Sequence, residues 1–186
     1  MTTETIIVAV VFAAIIIFVC EVSIRAKRKA DENQTISFRE TLELTEAPVI
    51  TFKTRGNDGK DVKLNLLIDT GATDSFFDKS LLSKIHPSMM FKTKSSYEIT
   101  TAAGTVNASE VVSLQFNYDF STFVETFMIL DLTDTNNYCK KEHGYTLAGV
   151  LGNTFFKATE TIIDYEKLKL NIKKNGKCNK IAESGK

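Results

Sequence analysis

The sequence has little that could hold a metal and no excess of charge of either sign. Its histidines are His86 and His143, and neither stands in metal-ligand spacing. The three cysteines, Cys20, Cys139 and Cys178, are an odd number with no C-x-x-C pair, so neither a disulfide framework nor a zinc site is indicated. Free thiols are the expected state, with pairing of Cys139 and Cys178 left open for an oxidising compartment. The 23 basic and 23 acidic side chains give a formal net charge of zero. The folded part shows no basic stripe of the kind that marks nucleic-acid binding. There is no G-x-S-x-G elbow, no phosphate-cradling glycine loop and no cysteine in a catalytic setting. No cofactor is expected.

What is present fits a foldable chain: 43% hydrophobic and 25% charged residues over 186 positions, which suits one domain plus an appendage. The appendage is the run over residues 6–20, IIVAVVFAAIIIFVC, without a charged side chain. With Thr5 and the stretch through Ile24 it approaches the ~20 residues that cross a bilayer. It is apolar on all sides, unlike a core helix with one apolar stripe. Arg25, Lys27, Arg28 and Lys29 follow it, whereas only Glu4 precedes it. A secretory signal would carry its positive charge before the run and small residues at a cleavage site. The bulky Phe18 and Val19 before Cys20 speak against a lipoprotein. Residues 1–29 therefore read as a single-pass anchor oriented N-out and C-in, with the folded part facing the cytoplasm.

Residues 30–46 are polar and weakly periodic and read as a stalk, in part helical. Over residues 47–173 the pattern changes to short strands. Residues 49–53 and 62–68 form a hairpin around the turn Arg55-Gly56-Asn57-Asp58-Gly59-Lys60. Residues 78–85 suit a short helix. Residues 97–114 suit a second hairpin turning at Ala103-Gly104, and strands follow near 111–118 and 123–131. Residues 134–144 read as a polar loop, and residues 161–164 and 168–172 as a closing pair. The tail, residues 174–186, reads as flexible. Many short strands with few helices predict an all-β barrel, closed or partly open, or a sandwich.

The chemistry concentrates at Leu66-Leu67-Ile68-Asp69-Thr70-Gly71-Ala72. An apolar strand delivers an aspartate into a tight turn. Gly71 permits close backbone approach, and its amide can donate to a carboxylate oxygen. By itself the tripeptide could be an Asx-type turn that ends a strand.

In order and context, residues 48–172 resemble the retropepsin-like aspartic proteases, the single-domain relatives of pepsin. Four features carry the resemblance: the opening strands 48–50 and 66–68, the motif Asp69-Thr70-Gly71-Ala72-Thr73, a hairpin over 99–108, and Gly149-Val150-Leu151-Gly152-Asn153 before a short helix and Ile162-Ile163-Asp164-Tyr165. The resemblance implies a barrel with a flap hairpin and one short helix. It implies Asp69, Thr70 and Gly71 as catalytic residues, and Ala72, Thr101, Ala102, Ala103 and Gly104 as substrate-facing cleft and flap. Leu151 and Gly152 are expected to brace the active loop. The sequence departs from the viral pattern in Ala72-Thr73-Asp74 and in the longer segment 134–144.

Aspartic proteolysis needs two carboxylates that share a proton. The chain holds one Asp-Thr-Gly and no Asp-Ser-Gly, and Asp164 lacks the following Thr and Gly. The expectation is a homodimer in which two Asp69 side chains meet on a two-fold axis, with the Thr70 hydroxyls bonding across to the facing loop. The expected substrate is a protein or peptide. The other reading on the same fold is a non-catalytic, membrane-tethered dimerisation or peptide-binding module.

Overall fold

Alternating inward and outward side chains set the architecture, as period-two strands require. In β2 (Val49–Arg55), Phe52 and Thr54 point inward between exposed Lys53 and Arg55; in β7 (Ser121–Leu130), Ser121, Phe123, Glu125 and Phe127 do so. The computed structural model describes Glu21 and residues 33–101 and 104–173. Glu21 apart, the expected anchor (1–29) lies outside the described residues, as does the expected tail (174–186). No helix among the described residues is long and apolar enough to cross a membrane.

The remaining strands are β1 (Asn33–Ser37), β3 (Asp61–Ile68), β4 (Phe76–Asp78), β5 (Met89–Thr101), β6 (Gly104–Tyr118), β8 (Gly149–Leu151), β9 (Ile162–Asp164) and β10 (Lys169–Lys173). Three helices accompany them: α1 (Arg39–Thr45), α2 (Thr133–His143) and α3 (Asn153–Ala158). The strands β2-β3-β8-β4-β7-β6 form a ring that closes where Lys53 of β2 pairs with Asn117 of β6. The buried Thr54 hydroxyl seals the seam by donating to the Gln115 carbonyl at 2.7 Å. The protein is thus a mostly β, closed six-stranded barrel, and β5 lies outside the ring against β6. A second sheet, ordered β1-β10-β9, completes the unit.

Phenylalanine fills the barrel. Phe52 meets Phe116 edge to face at 5.1 Å between ring centroids, and Phe123 and Phe155 pack against Phe116 at 6.0 Å. Such pairs add to the burial of apolar area because the ring edge of one faces the negative face of the other.

Four sequence expectations change. Residues 33–46 are not a polar stalk: Ile36 and Phe38 are 0% and 1% exposed in the main core, and the Phe38 amide donates to the Leu168 carbonyl at 3.0 Å. The folded unit starts at Gln34, ahead of the expected residue 47. Residues 134–143, expected in a polar loop, belong to α2, whereas α1 falls in the stretch expected to be partly helical and α3 where a short helix was expected ahead of Ile162. Residues 78–85 contain only a 3-10 turn over Lys79–Leu81. Finally, β6 runs unbroken through both segments expected as separate strands.

The helix α2 has Asp134 in its first turn, Lys140, Lys141 and His143 in its last, and Gly144 at φ 74° as its C-terminal stop. That arrangement matches the helix dipole and the left-handed cap. Its inner face is polar apart from buried Cys139, a free thiol packed with Val49 and Leu147. Asn136 holds it in place by donating to the Leu147 carbonyl at 3.0 Å and to Asp78 at 3.1 Å, while accepting from the Leu147 amide at 2.7 Å. Asn136→Ala leaves the Leu147 amide and carbonyl without these partners and should lower stability by about 2 kcal/mol. The check is a fall in the urea midpoint with an unchanged slope.

Candidate active site

Strand β3 buries Leu64, Leu66 and Ile68 and so fixes where the chain emerges at Asp69. Its parallel neighbour β8 pairs Ile68 with Leu151. One residue further, the Asp69 amide donates to the Leu151 carbonyl at 3.1 Å. The chain then turns tightly. The Gly71 amide donates to Asp69 Oδ1 at 2.8 Å, and the Ala72 amide to the Asp69 carbonyl at 3.3 Å. A charge-assisted bond from a backbone amide fixes the carboxylate's direction as well as its position.

Below the loop lies α3, whose first amides are satisfied by the loop itself in place of a capping side chain. Asn153 N donates to the Ala72 carbonyl at 2.9 Å and Thr154 N to the Thr73 carbonyl at 3.1 Å. Asn153 Nδ2 reaches up to the Thr70 carbonyl at 3.0 Å. The amide of Gly152 donates to the buried Ser75 hydroxyl at 3.2 Å. Two glycines permit this closeness. A β-carbon on Gly149 would overlap the Phe76 carbonyl oxygen, and one on Gly152 would overlap the Asp74 carbonyl oxygen. The apolar pair Val150-Leu151 between them thus threads a gap too narrow for side chains at its ends.

Asp69 opens into a cleft of about 690 Å³. Leu67, Phe76, Ile99, Leu130 and Val150 supply apolar wall, and Asp74 and Glu98 add carboxylates. Glu98 and Ile99 come from β5, so the β5–β6 hairpin borders the same cleft as Asp69. A second cleft of equal volume lies beyond Leu130 and Leu132, lined by Lys79, Val106, Glu110 and Asp134 among others. No Asp-Thr-Gly turn opens into it.

Of the predicted site residues, Asp69, Gly71 and Ala72 line the cleft, while Thr70 sits on the exposed side of the turn. Thr101 ends β5 paired with Gly104 at the start of β6, and Ala102 and Ala103 lie outside the described residues. Leu151 and Gly152 are buried behind the loop and do not line the cleft. Asp164 is spent on the turn after β9, where its Oδ1 accepts from the Lys167 amide at 2.9 Å; those bonds hold its carboxyl below the usual range.

Sequence reading missed Ser75, Thr154 and Glu125. The last carried a legible signal, an acid in the inward phase of Phe123-Val124-Glu125-Thr126-Phe127. Glu125 is 4% exposed and accepts from the Thr154 hydroxyl at 3.0 Å. Burial raises its pKa from the ordinary 4.5 to about 7, the negative charge of Asp74 adds to the rise, and bonds from Thr154 and Ser75 oppose it. Burial also raises Asp74.

The sequence matches none of the known family models and none of the curated proteins with which it was compared.

A raised carboxyl pKa gives the folded state the greater proton affinity. Between pH 4.5 and about 7 the unfolded chain has lost this proton and the native one keeps it, so stability falls as pH rises through that window. The whole effect is about 3 kcal/mol. Glu125→Gln should remove it: urea unfolding near pH 4 and above pH 8 will show wild type losing about 3 kcal/mol relative to the variant.

Proposed function

We propose that the chain is one half of a membrane-anchored aspartic endopeptidase, retropepsin-like in type, whose dyad is built from Asp69 of two identical subunits. The observation that supports it most is the clamped carboxylate: Asp69 Oδ1 bonded to the Gly71 amide at the edge of an apolar cleft that a long hairpin borders. A turn that served only to end a strand would have no reason to be braced by a helix N-terminus, two close-approach glycines and a buried hydroxyl.

In this reading the two Asp69 carboxyls face one another and share a proton, because like charges ~3 Å apart cannot both ionise. The ionised member takes a proton from water as the water oxygen attacks the peptide carbonyl carbon. The protonated member donates to the carbonyl oxygen. The tetrahedral intermediate then collapses: the C–N bond breaks, the leaving nitrogen takes up the proton that came from water, and a hydroxyl of the intermediate returns its proton to the dyad. The Gly71 amide keeps the oxygen it holds fixed, which leaves the other oxygen for the partner and the water. An extended peptide lies between the Asp69 loop and the β5–β6 hairpin, with apolar side chains against Leu67, Phe76 and Val150. Closing of the hairpin excludes water from the reacting bond.

The apolar run over residues 6–20, with basic residues after it, supports an anchor and a cytoplasmic domain. Two subunits held in one membrane meet at a raised effective concentration.

Asp69→Asn keeps the shape of the side chain and removes the shared proton. It should abolish cleavage of a peptide library at mildly acidic pH, by at least about 10³-fold, while dimers persist in sedimentation. A wild-type protein that cleaves, is inhibited by a pepstatin-like transition-state analogue, and loses both properties in the variant fits the proposal. Unimpaired cleavage by Asp69→Asn would falsify it.

A further inference from the structure

The mechanism uses Asp69 and leaves a second acid, buried beneath the same loop, without a role. Glu125 projects from β7 into the barrel beside Leu114, its cross-strand partner on β6. From α3 it faces the Thr154 hydroxyl, and Thr154 Oγ1 lies 3.4 Å from Ser75 Oγ. From the segment before β4 it faces Ser75 and the charge of Asp74. No cation answers it among the groups that act on it. A burial this complete is costly for a carboxylate and cheap for a carboxylic acid.

These contacts reach the underside of the Asp69 loop. Ser75 Oγ accepts from the Gly152 amide, and the Thr154 amide holds the Thr73 carbonyl. Gly152 follows Leu151, whose carbonyl holds the Asp69 amide. Glu125 is therefore two hydrogen-bonded side chains away from the backbone that aims the carboxylate.

We infer that Glu125 is a positioning residue, which in its protonated form locks Thr154, Ser75 and the Gly152 amide beneath the Asp69 loop and on losing its proton releases them. The inference rests on the dyad reading for its effect on catalysis but not for its effect on the loop. Ionisation places a charge among hydroxyls beside Asp74. The two carboxylates repel, and the buried charge is relieved by water entering beneath the loop, where it competes with Ser75 for the Gly152 amide. The fold thus favours the aimed geometry at acid pH, where a dyad that needs one proton also works.

The full chain in detergent micelles, as wild type, E125Q, E125A and D69N, tests this in two ways. In the first, peptide cleavage is followed against pH. The dyad alone gives log kcat/KM an alkaline limb of slope about one, and a second required proton on Glu125 steepens it to about two above neutral pH. Wild type should show the steeper limb and E125Q the shallower. E125A, which cannot hold Thr154, should lose about tenfold in kcat at acid pH with KM little changed, and E125Q should recover it.

In the second, amide exchange at Gly152 is compared between wild type and E125Q at equal pH. It should be about tenfold faster in wild type near pH 8 and equal near pH 5. Equal exchange at both pH values, or equal slopes in enzymes that D69N shows to depend on Asp69, overturns the inference. Undiminished cleavage by D69N instead removes the dyad reading, and exchange at Gly152 still decides the role of Glu125.

Discussion

The structure depends on how closely three backbones approach around β8. This strand lies between β3, with which it is parallel, and β4, with which it is antiparallel. At its two ends the neighbouring carbonyls, those of Phe76 and Asp74, occupy the space of a β-carbon, so Gly149 and Gly152 are the residues the geometry admits. The closeness places the Leu151 carbonyl against the Asp69 amide and the α3 amides against the loop carbonyls. The carboxylate inherits its position from the barrel core, through Ile68 on one side and Leu151 on the other, both buried.

The barrel imposes the same economy on its polar groups. Thr54, Ser75, Asp78, Ser121, Glu125 and Thr159 are buried, and among the described residues no buried side-chain nitrogen or oxygen lacks a partner. Asp78 alone accepts from Ser80, Leu132 and Asn136, joining the 3-10 turn to the start of α2. Glu125 and its hydroxyl partners form the corresponding network at the other end of β4, where Ser75 precedes Phe76. Hydrogen bonds in such surroundings are strong, and the cost of an unmet group is high. That is why a single proton on Glu125 can matter to a loop it does not touch.

Much of this was legible in the sequence, for physical reasons particular to each element. The hairpin of β2 and β3 announced itself by alternation around a glycine-rich turn, and Asp69 by the apolar strand that ends on it. Gly149 and Gly152 were visible as spaced glycines, although the carbonyls that demand them come from a segment some 75 residues earlier. Helix α2 was hidden because its anchors are Asn136 and Cys139, not an apolar stripe; its acidic start, basic end and Gly144 were the only local signs. Strand β1 was hidden by its brevity. Ile36 and Phe38 are two apolar residues in a polar stretch, and their burial is decided by β10, far along the chain. Glu125 could be placed on an inward face from its neighbours, but its partners Thr154 and Ser75 are a matter of tertiary structure.

A site completed by two subunits has a stoichiometric signature. Wild type and Asp69→Asn subunits mixed in detergent, allowed to exchange and then assayed for peptide cleavage, give activity against the fraction of wild type. If each site needs Asp69 from both subunits, activity falls as the square of that fraction, to about a quarter at equal mixing. A straight line, with about half the activity left at equal mixing, would contradict the shared pair and leave each chain with a complete site of its own.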